Sequence, residues 1–209
     1  MELADAEGLA AVTMRTVATR LGTGVMSLYT YVPDKPGLLQ AMVALVAREQ
    51  RYPEPSGDWR ADLHQLANQQ RSLLLRHPWV VDAVTAAQGL SEEVLPTLEF
   101  GLAALEPLGI DPATAMETLA LITGSVLNLV RAEKAARTPA APDPGRQAAE
   151  LAEITRLVGT GAYPRFAAAL AATPLPADRH YDVGAEFDRI LDRLLDGLIP
   201  SARLSRSSR

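Results

Sequence analysis

Residues 14–35 read Met14-Arg-Thr-Val-Ala-Thr-Arg-Leu-Gly-Thr-Gly-Val-Met-Ser-Leu-Tyr-Thr-Tyr-Val-Pro-Asp-Lys35, and this stretch decides the fold. Apolar residues recur at helical spacing up to Leu21 and resume at Val25 and Leu28. Between them lies Gly22, the residue type that most easily takes the left-handed conformation at the end of a helix. The pattern predicts two short helices folded against each other, an arrangement that can place the second helix in the major groove of DNA.

An aromatic and basic cluster follows the second of these helices. A turn between two helices also occurs in many proteins that bind no DNA, so the pattern alone is only moderately specific. Tyr29, Tyr31 and Lys35 add hydroxyl and ammonium groups that suit phosphate contacts. The net charge is +2 between residues 9 and 36 but −5 over the whole chain, so any DNA binding must be local.

The same stretch resembles the N-terminal domain of the TetR family of bacterial transcriptional repressors, through the Leu-Gly turn, Leu28-Tyr29, Val32 and Lys35. The resemblance implies that Thr13 caps the first helix of the pair and meets a phosphate, and that Arg15 reaches a base or a phosphate. It places base reading on Thr23, Gly24, Val25, Met26, Ser27 and Thr30, and backbone contacts on Tyr29, Tyr31 and Lys35. Val25 and Met26 offer only apolar contact, for instance with thymine methyl groups.

The start of the chain departs from the family pattern. The family's first helix is longer and follows a short basic arm, whereas only residues 1–7 precede Gly8 here. Leu3 and Leu9 can cover part of the two-helix core. We expect either that the natural protein starts upstream or that the DNA-binding domain is less stable than the rest.

The composition favours a soluble, all-α, cytoplasmic protein. Of 209 residues, 48% are hydrophobic and 22% charged, close to the average for globular proteins. The chain has no cysteine, which excludes disulfides, thiolate nucleophiles and cysteine-ligated metals. We find no signal sequence, no uninterrupted apolar run of ~18 residues, no strand pattern and no repeat, and we expect no membrane association.

Stretches rich in helix-breaking proline and glycine residues divide the chain into segments. The proline-rich stretch 52–58 separates a helix-turn-helix domain with its connecting helix, 1–51, from a larger helical ligand-binding and dimerisation domain, 52–200. The tail 201–209 is expected to be basic and disordered, and 138–145 to be a loop. Helices are predicted at 35–51, 59–77 after an Asp58 cap, 79–88, 91–109, 113–136 after Asp111-Pro112, 147–158, 163–172 and 184–199.

Two helices of the larger domain predict a homodimer. The helix at 113–136 is apolar nearly all round, and 184–199 carries a strict amphipathic stripe. Together they offer more apolar surface than one helical layer can cover, so two copies could form a four-helix interface. The alternative is that both are core helices of a monomer.

Polar groups set among apolar helices are candidate ligand anchors. His64, Asn68 and Arg71 share one side of their helix, while each of them could equally be an ordinary structural residue. The remaining candidates are Trp79, Phe100, Thr123 and Asn128. The abundance of Leu, Val and Ala favours a hydrophobic or aromatic effector over a sugar or nucleotide.

Other classes of function have less support. The sequence contains no nucleophile elbow, phosphate loop or metal-ligand spacing, and His64, His77 and His180 are far apart. We therefore predict no enzyme, no metal and no cofactor. We predict a DNA-binding regulator that acts as a repressor. An effector would release it from operator DNA by changing the distance between the two DNA-binding domains of the dimer. The alternatives are a helical protein-interaction module without an effector and, ranked last, an enzyme whose site is assembled from residues distant in sequence.

Overall fold

The computed structural model describes residues 1–86, 92–137, 144–172 and 183–199, and all regular elements in these ranges are helical. The all-α prediction is confirmed. The helices are α1 (Glu2–Glu7), α2 (Met14–Arg20), α3 (Val25–Tyr31), α4 (Lys35–Ala47), α5 (Trp59–Arg76), α6 (Val80–Ala86), α7 (Leu95–Leu105), α8 (Pro112–Arg137), α9 (Pro144–Gly159), α10 (Pro164–Ala172) and α11 (Val183–Leu198). Short 3₁₀ turns occupy Leu9–Ala11, Glu92–Val94 and Glu106–Leu108.

Helix α2 begins and ends as the sequence predicts. Thr13 and Thr16 form a capping box, in which each side chain accepts a hydrogen bond from the backbone N–H of the other. Gly22 takes a φ of 65°, and the backbone N–H of Thr23 donates to the carbonyl of Ala18 at 3.0 Å. This left-handed glycine ends α2 and turns the chain into α3.

Aspartates cap three further helices. Asp34 accepts from the Gly37 N–H at 2.8 Å, which starts α4. Asp58 accepts from the N–H groups of Arg60 and Ala61, and Asp111 accepts from that of Thr114 at 3.0 Å. The predicted starts of α5 and α8 are therefore confirmed.

Several boundaries differ from the predictions. Helix α4 ends at Ala47, because the chain after it turns with hydrogen bonds that span three residues, from Glu49 to Val46 and from Gln50 to Ala47. Helix α9 starts at Pro144, inside the predicted loop, since proline fits a first helical turn. Helix α7 starts at Leu95 with Pro96 in its first turn. The predictions for Ser91, 138–143, His180 and the tail 201–209 fall outside the described residues.

The core of the larger domain lies around α5, which packs against α7, α8 and α11. Leu63, Leu66 and Ala67 of α5 are fully buried there. Helices α7 and α8 approach closely at Gly101, where an added Cβ would lie 2.5 Å from Leu119 Cδ2. Glycine is the residue that permits this approach.

The stripe of α11 is largely covered within its own chain. Phe187, Leu191, Leu195 and Ile199 are buried against the neighbouring helices. Ile190, Leu194 and Leu198 of the same stripe are only half-buried. On the outer side of α8, Met116 and Leu121 are 41% and 51% exposed, so apolar surface remains uncovered on both helices. Among the described residues, one helix, Pro112–Ala135, is long and apolar enough to cross a membrane, and its inner face belongs to the core.

Candidate nucleic-acid interface and junction cavity

Helices α2 and α3 pack against each other, and Ala18 of α2, Leu28 of α3 and Val12 before α2 are buried. Their outer side forms a continuous exposed surface. We call the following eleven residues the recognition surface: Thr13, Arg15, Thr23, Gly24, Val25, Met26, Ser27, Tyr29, Thr30, Tyr31 and Lys35. Ten of them are exposed to solvent, and Val25 is half-buried.

Large side chains stand out on this surface. Tyr31 is 84% exposed, Met26 79% and Tyr29 44%. A cluster of exposed aromatic and apolar side chains on a small domain indicates a contact surface rather than a core. Arg15 and Lys35 are exposed nearby, whereas Arg20 is paired with Glu7 at 3.2 Å.

The structure modifies three of the sequence-based predictions for the helix-turn-helix. Val25 packs partly against the core, so apolar contact with bases would fall mainly to Met26. Leu21 is 66% exposed and is not part of the apolar stripe, because the turn at Gly22 carries it outward. The backbone N–H of Thr13 donates to Thr16 Oγ1 at 2.9 Å, and the hydroxyl oxygens of these two residues lie 3.0 Å apart. The capping box therefore engages both the N–H and the hydroxyl of Thr13, which were expected to meet a phosphate.

The three polar candidates on α5 lie against α8 and α11. His64 Nε2 is 2.9 Å from Asp192 Oδ1, and Asn68 donates to Asp188 at 3.3 Å. The hydrogen bond with His64 lowers the pKa of Asp192. Arg71 donates two hydrogen bonds to Glu133, at 2.9 and 3.0 Å. Each side chain is thus engaged with a carboxylate of the chain itself.

The other four candidates are dispersed. Trp79 is buried, and its Nε1–H donates to Asp5 at 2.6 Å. Thr123 accepts a hydrogen bond from Gln70 at 3.3 Å, and Asn128 lies exposed on α8. Phe100 is buried and stacks on Tyr52, with ring centroids 4.7 Å apart. Of the seven candidates, Phe100 alone lines the cavity described next.

A cavity of roughly 750 Å³ lies where the end of α4 meets the linker 50–55 and α7. We call it the junction cavity. Sequence reasoning missed its other walls, including Arg48, Gln50, Tyr52 and Thr97. The sequence signal for this cavity was an aromatic residue, Tyr52, beside a proline-rich linker. That signal could not locate the cavity, because its walls come from two segments about 45 residues apart in the sequence.

A polar cluster joins α1, the turn that follows α4 and the corner between α5 and α6. We call it the interdomain clasp, and it consists of Asp5, Glu49, Arg76, His77 and Trp79. His77 Nδ1 lies 2.8 Å from Asp5 and its Nε2 lies 3.2 Å from Glu49, which Arg76 also contacts at 3.2 Å. Because α1 and the turn after α4 belong to the helix-turn-helix part of the chain, the clasp ties that part to the larger one.

We expect the Asp5→Asn substitution to destabilise the protein by about 1 kcal/mol at neutral pH. Burial by itself would raise the pKa of Asp5, but hydrogen bonds from His77 and Trp79 and the charge of His77 lower it below its ordinary value. A lowered pKa means that the stabilisation is present above about pH 4, the unfolded value, and is lost as the pH falls further.

Urea unfolding from pH 7 to pH 3 checks this expectation. The difference between the wild-type protein and the variant should shrink below about pH 4. Glu2→Gln, which makes the same change on the exposed side of α1, serves as the control. An equal effect of both variants, or a difference that grows toward pH 3, would contradict the role of Asp5.

The geometry defines a class of protein. A two-helix unit with a left-handed glycine turn presents exposed polar, aromatic and basic side chains, and a larger helical unit is joined to it through α4. This is the architecture of a helix-turn-helix DNA-binding regulator.

Comparison with known proteins identifies the family. Residues 1–42 match the family of bacterial regulatory proteins, tetR family, and residues 52–200 match the tetracyclin repressor-like C-terminal domain. The chain belongs to the TetR family of bacterial transcriptional regulators, and it is a DNA-binding regulator, not an enzyme. Members of this family bind operator DNA, dimerise and respond to small molecules.

Relatives and solved structures agree with this assignment. The HTH-type transcriptional repressor DrrR1 of Streptomyces coeruleorubidus is 33% identical over 204 residues, which cover 95% of this chain and 73% of the relative. An HTH-type transcriptional regulator of Saccharopolyspora erythraea is 30% identical, over 90% of this chain and 78% of its own. The structure of ActR from Streptomyces coelicolor with actinorhodin superposes with a TM-score of 0.77 at 25% identity, over 96% of this chain and 93% of that one.

Proposed function

We propose that this chain is a cytoplasmic, dimeric repressor that binds operator DNA through the recognition surface and releases it when a small aromatic effector binds the larger domain. The observation that carries the proposal is the exposure of Tyr31, Met26 and Tyr29 together with the basic residues beside them. In an ordinary helical domain, large side chains of this type are mostly buried.

The contacts expected with DNA divide into two kinds. Lys35, at the start of α4, and the tyrosine hydroxyls of α3 would bind phosphates and fix the orientation of the domain. Thr23, Ser27, Thr30 and Met26 would face base edges in the major groove, with few polar atoms for readout. The total charge of −5 would keep nonspecific binding weak, so the affinity depends on this one surface.

Dimerisation would use the outer sides of α8 and α11. Support comes from the exposed Met116 and Leu121 of α8 and from the half-buried Ile190, Leu194 and Leu198 of α11. A four-helix interface of this kind would hold two recognition helices at the separation of successive major grooves, about 34–36 Å. A monomer would contact a single half-site and bind far more weakly.

The effector would act at the junction cavity. Its walls come from the end of α4, which continues from the helix-turn-helix, and from α7 of the larger domain, so a ligand would change how these two parts are held. The related ActR has been solved with actinorhodin, which supports a small-molecule ligand for this chain. Coupling between effector and operator is typically worth ~1–3 kcal/mol and acts equally in both directions.

The two lysines of the chain provide a test of the DNA interface, because Lys35 lies on the recognition surface and Lys134 on α8. Lys35→Ala should weaken binding to every duplex by about tenfold or more. Since a dimer loses two phosphate contacts, the plot of log affinity against log salt should become shallower by about two units. Lys134→Ala should leave both quantities unchanged.

Fluorescence anisotropy at several salt concentrations measures both quantities, with a duplex enriched from a random pool by the wild-type protein. Equal losses for the two variants would show that the lysines act only through the net charge. No binding by the wild-type protein at low salt would favour the alternative of a helical interaction module.

A further inference from the structure

The junction cavity contains a polar group without a partner. The Tyr52 hydroxyl is buried and makes no hydrogen bond of regular geometry, although Thr97 and Gln50 lie close enough to lower its pKa in part. The Tyr52 ring stacks on Phe100. The neighbouring Thr97 hydroxyl instead donates to Gln50 Oε1 at 3.2 Å. A buried hydroxyl without a partner is costly and uncommon, and here it belongs to a residue that lines a cavity.

The cavity has the size and the flat walls of a site for an aromatic molecule. Its volume of roughly 750 Å³ is within the range of drug-sized ligand sites. The stacked rings of Tyr52 and Phe100 are one wall, and Pro53, Pro55 and Pro96 add further apolar surface. Aromatic ligands stack favourably on such surfaces.

The charged residues around the cavity determine which ligand charge the site favours. Two arginines and four glutamates line it, a net charge of −2. Arg48 is paired with Glu93 at 2.7 Å, and Arg51 donates to the main-chain carbonyl of Gln50 at 2.9 Å. The other three glutamates, Glu54, Glu92 and Glu99, are exposed at the cavity. A concave site with an excess of one charge concentrates ligands of the opposite charge.

We propose that the junction cavity takes a planar aromatic molecule that carries a positively charged nitrogen, and that the Tyr52 hydroxyl is its hydrogen-bonding anchor. This inference rests on the proposed function, because it names the chemical class of the effector. Burial raises the pKa of Tyr52, although its neighbours Thr97 and Gln50 oppose part of the shift. The hydroxyl therefore stays protonated and able to donate to a ligand or accept from one.

The test uses proflavine, a planar aromatic cation, and 1-anilinonaphthalene-8-sulfonate, an aromatic anion, with the full chain and no DNA. Proflavine should bind the wild-type protein, and Ala103→Trp, which fills the cavity, should weaken it by about tenfold or more. The double variant Glu92→Gln/Glu99→Gln should weaken proflavine about fivefold and leave the anion unaffected or tighter. Glu117→Gln, an exposed glutamate of α8 away from the cavity, is the matched control.

Tyr52→Phe separates anchoring from folding. Removal of an unpartnered hydroxyl should leave the melting temperature unchanged or slightly raised, while proflavine affinity falls about fivefold. Tyr163→Phe, on an exposed tyrosine outside the cavity, should change neither. A lower melting temperature with unchanged proflavine affinity would show that the hydroxyl is structural.

Two results would overturn the proposed ligand class: proflavine affinity unaffected by Ala103→Trp, or tighter binding of the anion than of proflavine. Operator binding measured separately distinguishes these failures from failure of the proposed function. A protein that binds DNA but fails the proflavine test remains a regulator with a different effector. A protein that binds proflavine in the cavity but no DNA is not the proposed repressor.

Discussion

Replacement of Arg71 by methionine is expected to lower the free energy of unfolding by about 3 kcal/mol, because it removes the two charge-assisted hydrogen bonds that Arg71 donates to the buried Glu133 carboxylate. The Glu133 side chain is 3% exposed and that of Arg71 is 16% exposed, and two hydrogen bonds join them. The guanidinium also lies 5.2 Å from the centre of the Phe187 ring. One substitution therefore removes contacts to both α8 and α11.

Urea or thermal unfolding measures this effect, and the chain supplies a matched control. Arg156 and Glu153 form the same kind of two-bond pair, but their side chains are 63% and 55% exposed. Arg156→Met should change the stability far less than Arg71→Met, because solvent screens an exposed pair. The double variant Arg71→Met/Glu133→Leu should recover most of the stability, since no charge stays buried. Equal losses at Arg71 and Arg156 would contradict the structural role of the buried pair.

The second large effect is expected at the turn of the recognition surface. Gly22→Val should destabilise the helix-turn-helix by about 2 kcal/mol and reduce operator affinity, because Gly22 has a φ of 65° that a β-branched residue adopts only with strain. An added Cβ would meet no atom within 4 Å, so the cost is one of backbone conformation rather than of space.

Gly24, two residues later, is the control for this prediction. It has an ordinary φ of −74°, and an added Cβ would meet only Ser27 Oγ at 3.9 Å. Gly24→Ala should therefore leave unfolding nearly unchanged. Circular dichroism during thermal unfolding compares the two variants, and hydrogen exchange over residues 14–31 locates the loss. Similar stabilities for the two variants would show that the turn does not depend on the left-handed glycine.

The elements that could be predicted from sequence are those set by local chemistry. Thr13, Gly22, Asp58 and Asp111 start or end helices through hydrogen bonds and backbone conformations that involve their immediate neighbours. The recognition surface was predictable for a related reason, since two short helices joined by a tight turn can bury only one side of each.

The candidate effector site depends on contacts that are distant in sequence. His64 and Arg71 look like ligand anchors on an isolated helix, but they are engaged by Asp192 and Glu133, which lie on helices 60 or more residues away. Tyr52 and Thr97 belong to different segments, and only the packing of α4 against the Glu92–Val94 turn that precedes α7 brings them to one cavity. Helical periodicity carries no information about such pairs.

The central claim is that two copies of this chain bind DNA through paired recognition surfaces. The most direct measurement is selection from a random duplex pool by the wild-type protein, followed by native mass spectrometry of the complex with the enriched duplex. The account predicts a site with two related half-sites about one helical turn apart, occupied by two protomers. A pool without an enriched sequence, or a single protomer bound to an undivided site, would contradict it.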